Sequence, residues 1–259
     1  QAAMGEGHST VGTLGRGLGS IQRLADRAEL FTLPQAEGGP WHGLAVWARF
    51  HPEPPPDPAG RAHAETGLYL RAYQDRPANG DCLCLSGTDA GRLRWLHLDG
   101  LGHGEQAAES VSGVADLVDG DDDVPTVMGL LGRRLRGTRG AVAALGEVDP
   151  TTRRATLVGV GDIAAYLMDG RGRQHFPFPP GVLGKTRDSK PGQEVGLELP
   201  PGSTLVTASD GIRGRWEPGW FPGLFRLHPQ MIALFLGHVL GRANDDRSLL
   251  AVRVLGGRA

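Results

Sequence analysis

The chain has 259 residues, 39% of them hydrophobic and 22% charged, which suits one large domain, or one medium domain plus a piece of another, and excludes general disorder. A formal charge of −2 argues against a general nucleic-acid binder, which needs surplus cations to neutralise phosphates. No apolar run approaches the roughly 20 residues that span a bilayer, no signal peptide opens the chain, and Cys82 and Cys84 cannot build a disulfide framework, so a cytoplasmic protein with neither nucleic-acid nor membrane partners is expected.

The predicted elements, taken in chain order, begin with a glycine-dense stretch containing Gly12, Gly15, Gly17 and Gly19, followed by a helical pattern in which Leu18, Ile21, Leu24 and Ala25 form one stripe. Strands are expected at 29–33 and 43–50 around a Gly/Pro turn. The segment HPEPPPDPAGR, residues 51–61, holds five prolines and cannot be helix or central strand, so 51–64 reads as a linker between 1–50 and 65–259. Beyond it, strands are expected at 67–73, 81–85 and 93–98 and helices near 105–118 and 125–135. Further strands follow at 140–148, 155–160 and 164–168, then a Pro/Gly-rich loop over 176–184. Strands at 194–199 and 204–208, a helix at 229–240 and a strand at 248–254 close the chain. Many strands with adjacent helices predict an α+β layered sandwich and not a βαβ repeat.

Several familiar motifs fail on spacing. Gly184-Lys185-Thr186 resembles the end of a P-loop, but Pro179 stands where its first glycine belongs. Gly159 and Gly161 lack the third glycine of a dinucleotide fingerprint, where Ala164 stands. No Gly-x-Ser-x-Gly elbow occurs. His103-Gly104-Glu105 has no following Cys-x-x-Cys to complete a zinc deaminase site, and Cys82-x-Cys84 alone supplies too few zinc ligands.

What recurs is an aspartate where an apolar strand starts or stops. Asp99-Gly100 follows WLHL, Asp210-Gly211 follows TLVTAS, Asp245-Asp246 precedes SLLAVRV, and Asp81 opens DCLCL. One such aspartate is an ordinary turn residue. A group of them, without Cys or His, suits hard oxygen-loving cations such as Mg²⁺ or Mn²⁺. A glycine after the aspartate leaves room for a backbone carbonyl to approach a metal. Two ions sharing one carboxylate could hold a water, lower its pKa and aim it at phosphorus.

In order, Asn79-Gly80-Asp81, LDGLGHGEQAAES (98–110), LRGTRGAVAAL (135–145), LVGVGDIAAYL (157–167), LVTASDGIRGRW (205–216) and NDDRSLLAVRV (244–254) resemble the metal-dependent protein phosphatases of the type-2C superfamily, in their bacterial RsbX-like and SpoIIE-like branch. The resemblance covers about residues 65–259. It implies a two-sheet β-sandwich flanked by helices, with two Mn²⁺ or Mg²⁺ ions in a cleft at one edge. It gives Asp99 the bridging position with the Gly100 carbonyl beside it, and makes Asp210 and Asp245 direct ligands, Asp246 being the alternative to Asp245. Asp81 would act on the second ion or through water, and Asp99 and Asp210 would serve the water nucleophile. Arg76, five residues before Asp81, is a candidate for the substrate phosphate. Two departures stand out: Asp162 replaces an asparagine usual in this branch and could bind a further cation or repel phosphate, and Leu101 replaces a histidine common after Asp-Gly in eukaryotic relatives. His103 reads as structural.

HSTVGTLGRGLGSIQRLAD, residues 8–26, resembles the second glycine box of the GHKL ATPase fold, as in RsbT-like serine kinases, with Gly15, Gly17 and Gly19 as remnants of its phosphate lid. The Asn helix and the adenine box of that fold are not in this sequence. Residues 1–50 are therefore expected to be the closing fragment of such a domain, with Met4 internal and weak nucleotide binding at most. An exposed apolar half-domain would pack on its neighbour or mediate a homodimer. The resemblance implies a serine/threonine protein phosphatase that acts by in-line attack, without a phosphoenzyme, on a phosphorylated STAS-type regulatory protein of the anti-anti-sigma or stressosome class. The alternatives are a non-catalytic binding module on the same sandwich, or the phosphatase half of a kinase/phosphatase switch.

Overall fold

The computed structural model describes residues 17–34, 41–52, 63–88, 91–185 and 192–256. Gly15 and most of the Pro-rich segment fall outside them. The chain divides into two units, Gln1–Pro58 and Ala59–Ala259. In the first, helix α1 (Gly17–Leu24) precedes an antiparallel pair, β1 (Arg27–Leu33) and β2 (Gly43–Arg49), with Arg27 opposite Arg49 and Leu33 opposite Gly43. Arg27 and Arg49 hold their guanidinium groups 5.8 and 5.1 Å from the Trp47 ring centroid, so one aromatic ring serves two cations.

The second unit contains two five-stranded antiparallel sheets. One has the order β10 (Val195–Glu198), β7 (Arg154–Val160), β6 (Ala141–Asp149), β5 (Leu93–Gly100), β4 (Asp81–Gly87). The other runs β3 (His63–Arg71), β12 (Arg247–Leu255), β11 (Thr204–Ala208), β8 (Ala164–Met168), β9 (Arg173–Phe176). Period-2 alternation divides each inner strand between two cores. Leu96 and Leu98 of β5 join Ala143, Leu145 and Val158 against α3 (Val124–Arg134), which presents Val124, Val127, Met128 and Leu131 at helical spacing. Trp95, on the opposite face of β5, meets Leu205, Leu250 and Val252 of the other sheet. Gly146 lies opposite Trp95 in the ladder, and a Cβ there would stand 2.1 Å from the indole. On the outer face of the second sheet, α4 (Pro229–Leu240) comes so close to β3 that a Cβ on Gly67 would stand 2.2 Å from the Pro229 backbone.

Cap chemistry sets the helix starts. Asp123 accepts from the Thr126 amide at 2.7 Å, with Pro125 in the first turn of α3. His228 does the same for the Gln230 amide before α4, which spans 229–240 as its periodicity predicts. The helix expected over 105–118 is shorter: α2 (Glu105–Ser110) ends before Gly113, whose φ of +63° lies outside the right-handed helical region, and only a 3₁₀ turn over Ala115–Leu117 follows. Strand β9 was not anticipated, because Arg173–Phe176 shows no apolar alternation and is held as a strand by pairing with β8. No helix among the described residues is long and apolar enough to cross a membrane.

Candidate active site

Along the inward faces of two pairs of neighbouring strands, one pair in each sheet, the side chains change in the same sense toward one edge. In β5 the sequence is Trp95, His97, Asp99; in β11 and the residues after it, Leu205, Thr207, Ser209 and then Asp210; in β12, Leu250 and Ser248, with Asp245 just ahead; in β4, Leu83 and then Asp81. Apolar packing thus gives way to hydroxyls and an imidazole, and then to carboxylates. Asp81 and Asp99 are direct cross-strand partners. Asp99, Asp162, Asp210 and Asp245 line one cleft of about 470 Å³, with Leu101, Gly102, Val142, Phe178 and Val182 among its other walls.

The loops bearing Asp210 and Asp245 meet through a missing side chain. A Cβ on Gly211 would stand 1.8 Å from the Asp246 carbonyl oxygen, so only glycine lets these backbones touch. Gly100 is confined in the same way: a Cβ there would stand 2.8 Å from the Ala107 carbonyl oxygen, and its amide donates to the Gly80 carbonyl at 2.9 Å. Both glycines after aspartate therefore have a packing reason independent of any ligand.

Burial pushes the Asp99 carboxyl up to about 9, helped by the neighbouring charges of Asp81, Asp210, Asp162 and Asp245. Burial likewise raises Asp81 to about 7, against the hydrogen bonds from Ser248 and Ser209 and with the charges of Asp246 and Asp210. Asp210 is raised by burial and then by Asp245 and Asp162, while Arg242 opposes the shift. Asp81 accepts from the Ser209 hydroxyl at 2.7 Å and from the Ser248 hydroxyl at 2.6 Å, both through Oδ2. Its Oδ1 is buried and has no hydrogen-bond partner.

Asp246, considered as an alternative ligand to Asp245, is turned elsewhere. Its two oxygens accept from the Tyr73 amide at 2.7 Å and the Gly80 amide at 2.8 Å, so it clamps the segment leading into β4. Arg76 is also not among the residues lining the acidic cleft. It lies over the Tyr73 ring at 5.1 Å and lines an adjacent groove of about 400 Å³ with His103, Glu105, Gln106 and Arg139. His103 is exposed and tilted against Tyr73 at 5.0 Å. Arg139 donates to the Gln106 side chain and to the Leu101 carbonyl at 3.5 Å, bracing the turn that separates groove from cleft. Cys82 and Cys84 are half-buried free thiols packed toward α3. Sequence reasoning missed His97, Thr207, Ser209 and Ser248; the available signal was a polar residue one to three places inward from a carboxylate on an otherwise apolar strand face.

Among the described residues no group of three or more His, Cys, Asp or Glu side chains is placed, as they stand, to hold a metal ion. The donors nevertheless fit divalent cations by their chemistry. They are hard oxygens, they stand in one another's field, and one buried carboxylate oxygen lacks any partner.

Two antiparallel sheets stacked face to face, with helices on both outer faces and carboxylates at one edge, define a mixed α+β fold shared with known phosphatase domains. The profile of the family described as Stage II sporulation protein E (SpoIIE) matches residues 89–255, and the chain belongs to that family. Phosphoserine phosphatase RsbX of Bacillus subtilis (strain 168) is 27% identical over 119 residues, covering 45% of this chain and 59% of its own length. A solved chain described under the bacterial stressosome, a modular system adapted to control secondary messenger signalling, is 28% identical with a TM-score of 0.62, covering 73% of this chain and 99% of that one. RsbX in complex with magnesium shares the fold at a TM-score of 0.63 and 23% identity, over 74% of this chain and 96% of that one.

Proposed function

We propose that this protein is a metal-dependent serine/threonine protein phosphatase. The observation that carries the reading is the convergence of Asp99, Asp162, Asp210 and Asp245 on one cleft, with Asp81 paired to Asp99 behind it. In this reading Asp99, the Gly100 carbonyl, Asp210 and Asp245 would hold the two cations, and Asp81 would serve one of them directly or through water. Two Mg²⁺ or Mn²⁺ ions, when bound, supply positive charge that lowers the pKa of a water and offsets the charge of the phosphoryl group. Asp99 and Asp210 would orient the attacking water from rigid strand ends; its oxygen bonds to phosphorus in line as the P–O bond to the serine or threonine oxygen breaks, the water's proton passing to solvent and the departing oxygen taking one from solvent. Leu101 offers no proton to the departing oxygen. Phe178 and Val182 narrow the cleft with apolar surface. Asp162 at the same wall sets a repulsive charge that a bound cation would have to neutralise before a phosphate could enter.

We read Arg76 as a substrate contact acting from the adjacent groove together with Arg139, which suits a phosphoprotein longer than one residue. The substrate would be a phosphorylated STAS-type regulator; support comes from the phosphoserine phosphatase named among the relatives and from the stressosome-associated chain. Arg76→Ala should raise KM for a phosphoserine peptide and leave an aryl phosphate unaffected, and equal KM for the peptide would remove Arg76 from the site. We also read residues 1–50 as part of a GHKL-type fold, supported by the order α1, β1, β2; the linker expected over 51–64 stops short of its predicted end, because His63 and Ala64 already pair with Leu255 and Val254 as the start of β3. Leu24, Leu44 and Phe50 keep exposed apolar surface there, which fits a homodimer through this unit. ATP titration should give no strong binding, and sedimentation should show a dimer; tight nucleotide binding or a strict monomer would contradict these two readings.

The deciding experiment for the main reading is hydrolysis of a phosphoserine peptide with added Mn²⁺ or Mg²⁺. Because residues that merely support metal ligands cost 10- to 100-fold when removed, Asp99→Ala should lose more than about a hundredfold. Equal rates for the wild type and Asp99→Ala would overturn it.

A further inference from the structure

His97 is completely buried two residues before Asp99, yet it is not among the residues lining the acidic cleft. Its Nε2 lies 2.7 Å from the Ser248 hydroxyl and its Nδ1 2.8 Å from the Thr207 hydroxyl. The ring is completely buried and its two nitrogens each face a hydroxyl, an environment that disfavours a charged imidazolium, so the ring is neutral and carries one N–H. Which nitrogen carries it follows from counting protons. An Asp81 that serves a cation is ionised and can only accept. The single proton of Ser248 is then committed to Asp81 Oδ2, 2.6 Å away. Ser248 can therefore only accept from His97, which puts the ring proton on Nε2. Nδ1 is left bare and accepts the Thr207 proton.

The bonds consequently run one way, from Thr207 through His97 and Ser248 to Asp81. Ser209 adds a second donor to the same carboxylate oxygen at 2.7 Å and itself accepts from the Ser248 amide at 3.0 Å. The participants come from β4, β5 and β12 and from β11 with the residue that follows it, so both sheets contribute. Ser209 is adjacent to Asp210, and His97 is two residues from Asp99, so the network ties three carboxylates to one interior frame. Both donors act on Oδ2 and leave Oδ1 buried without a partner.

We propose that His97 is a positioning residue: locked as the Nε2–H tautomer, it orients Ser248, which with Ser209 pins Asp81 Oδ2 and commits Oδ1 to a divalent cation. This rests on the metal-dependent reading above and specifies how one ligand of that site is prepared. The Trp95, His97, Asp99 order along the strand puts the imidazole at the boundary between the apolar core and the charged edge, where a neutral residue with one donor and one acceptor can transmit orientation without adding charge.

The test combines calorimetric titration of the full chain with Mn²⁺ and long-range ¹H–¹⁵N NMR of its histidines. Ser248→Ala, checked for cooperative melting, should weaken Mn²⁺ binding about 10- to 100-fold, the range for residues that orient a metal ligand. Thr207→Val should weaken it less, and Thr207→Ser, which keeps the hydroxyl, should bind as wild type. The Mn²⁺-free control loaded with diamagnetic Mg²⁺ should show His97 protonated at Nε2. A folded Ser248→Ala protein with wild-type Mn²⁺ affinity, or a His97 protonated at Nδ1, would overturn the proposal. If Ser248→Ala does not fold, the Thr207 pair and the tautomer decide it. Asp99→Ala is titrated alongside: loss of Mn²⁺ binding there with no effect at Ser248 or Thr207 refutes the positioning role alone, whereas unchanged binding in Asp99→Ala refutes the metal site and this inference with it.

Discussion

Asp99 and Asp81 face each other across the β4–β5 ladder with carboxyls raised to about 9 and about 7. In an unfolded chain both would ionise near the ordinary aspartate value of 3.8. Between roughly pH 4 and 9, therefore, the metal-free folded state holds protons that the unfolded state has lost. The stability these groups contribute is fully present below pH ~4 and is lost as pH rises through the folded values. Chemical denaturation of chelator-treated protein should show this contribution falling from neutral pH to about 9, and saturating Mg²⁺ should reverse the trend, because the ion takes the place of the proton. A chelated Asp99→Asn protein that loses stability over that window as steeply as the wild type would contradict the assignment. Residue identities in this cluster were readable as short carboxylates beside a glycine or another aspartate. The choice between Asp245 and Asp246 was not, because adjacent residues differ only in where the backbone turns them, and Asp246 is taken up by the Tyr73 and Gly80 amides.

The strand ends and the loops leaving them are brought together by contacts too close for any side chain. Gly211 is the clearest case, its absent Cβ lying 1.8 Å from where the Asp246 carbonyl oxygen passes. Gly211→Ala must push apart the loops that carry Asp210 and Asp245. It should weaken Mn²⁺ binding by at least about tenfold, comparable with loss of a supporting residue, and lower stability by about 1–3 kcal/mol through overpacking. Mn²⁺ calorimetry and urea melts would check this; an unchanged affinity would show that the loops can separate without disturbing the ligands. Elements with strong local signals were legible to the residue: 164–168, 204–208 and 229–240 emerge with the bounds their periodicity indicated. The break at Gly113 and the strand Arg173–Phe176 were not, since the first depends on a backbone angle and the second on the neighbour it pairs with.

At the scale of the molecule, every carboxylate of the cleft, its walls and the network behind it belong to the unit Ala59–Ala259. That unit alone should therefore retain cation binding and phosphatase activity within about threefold of the full chain, the context dependence usual for such comparisons. Expression of 59–259, followed by calorimetry and peptide hydrolysis, tests this, and an inactive but folded fragment would assign a role in the site to the first unit. By itself the amino-acid order determined the alternation of short strands with few helices, the oxygen-only character of the candidate ligands, and the two-sheet family the blocks resemble, because period, cap chemistry and residue type are local properties. Only the tertiary structure decided which aspartates share a cleft, that Arg76 belongs to the neighbouring groove, and that His97 stands behind Asp81. Those depend on strand order and on which inward faces meet, and residues separated by more than a hundred positions acquire a common electric field only once two sheets have closed on each other.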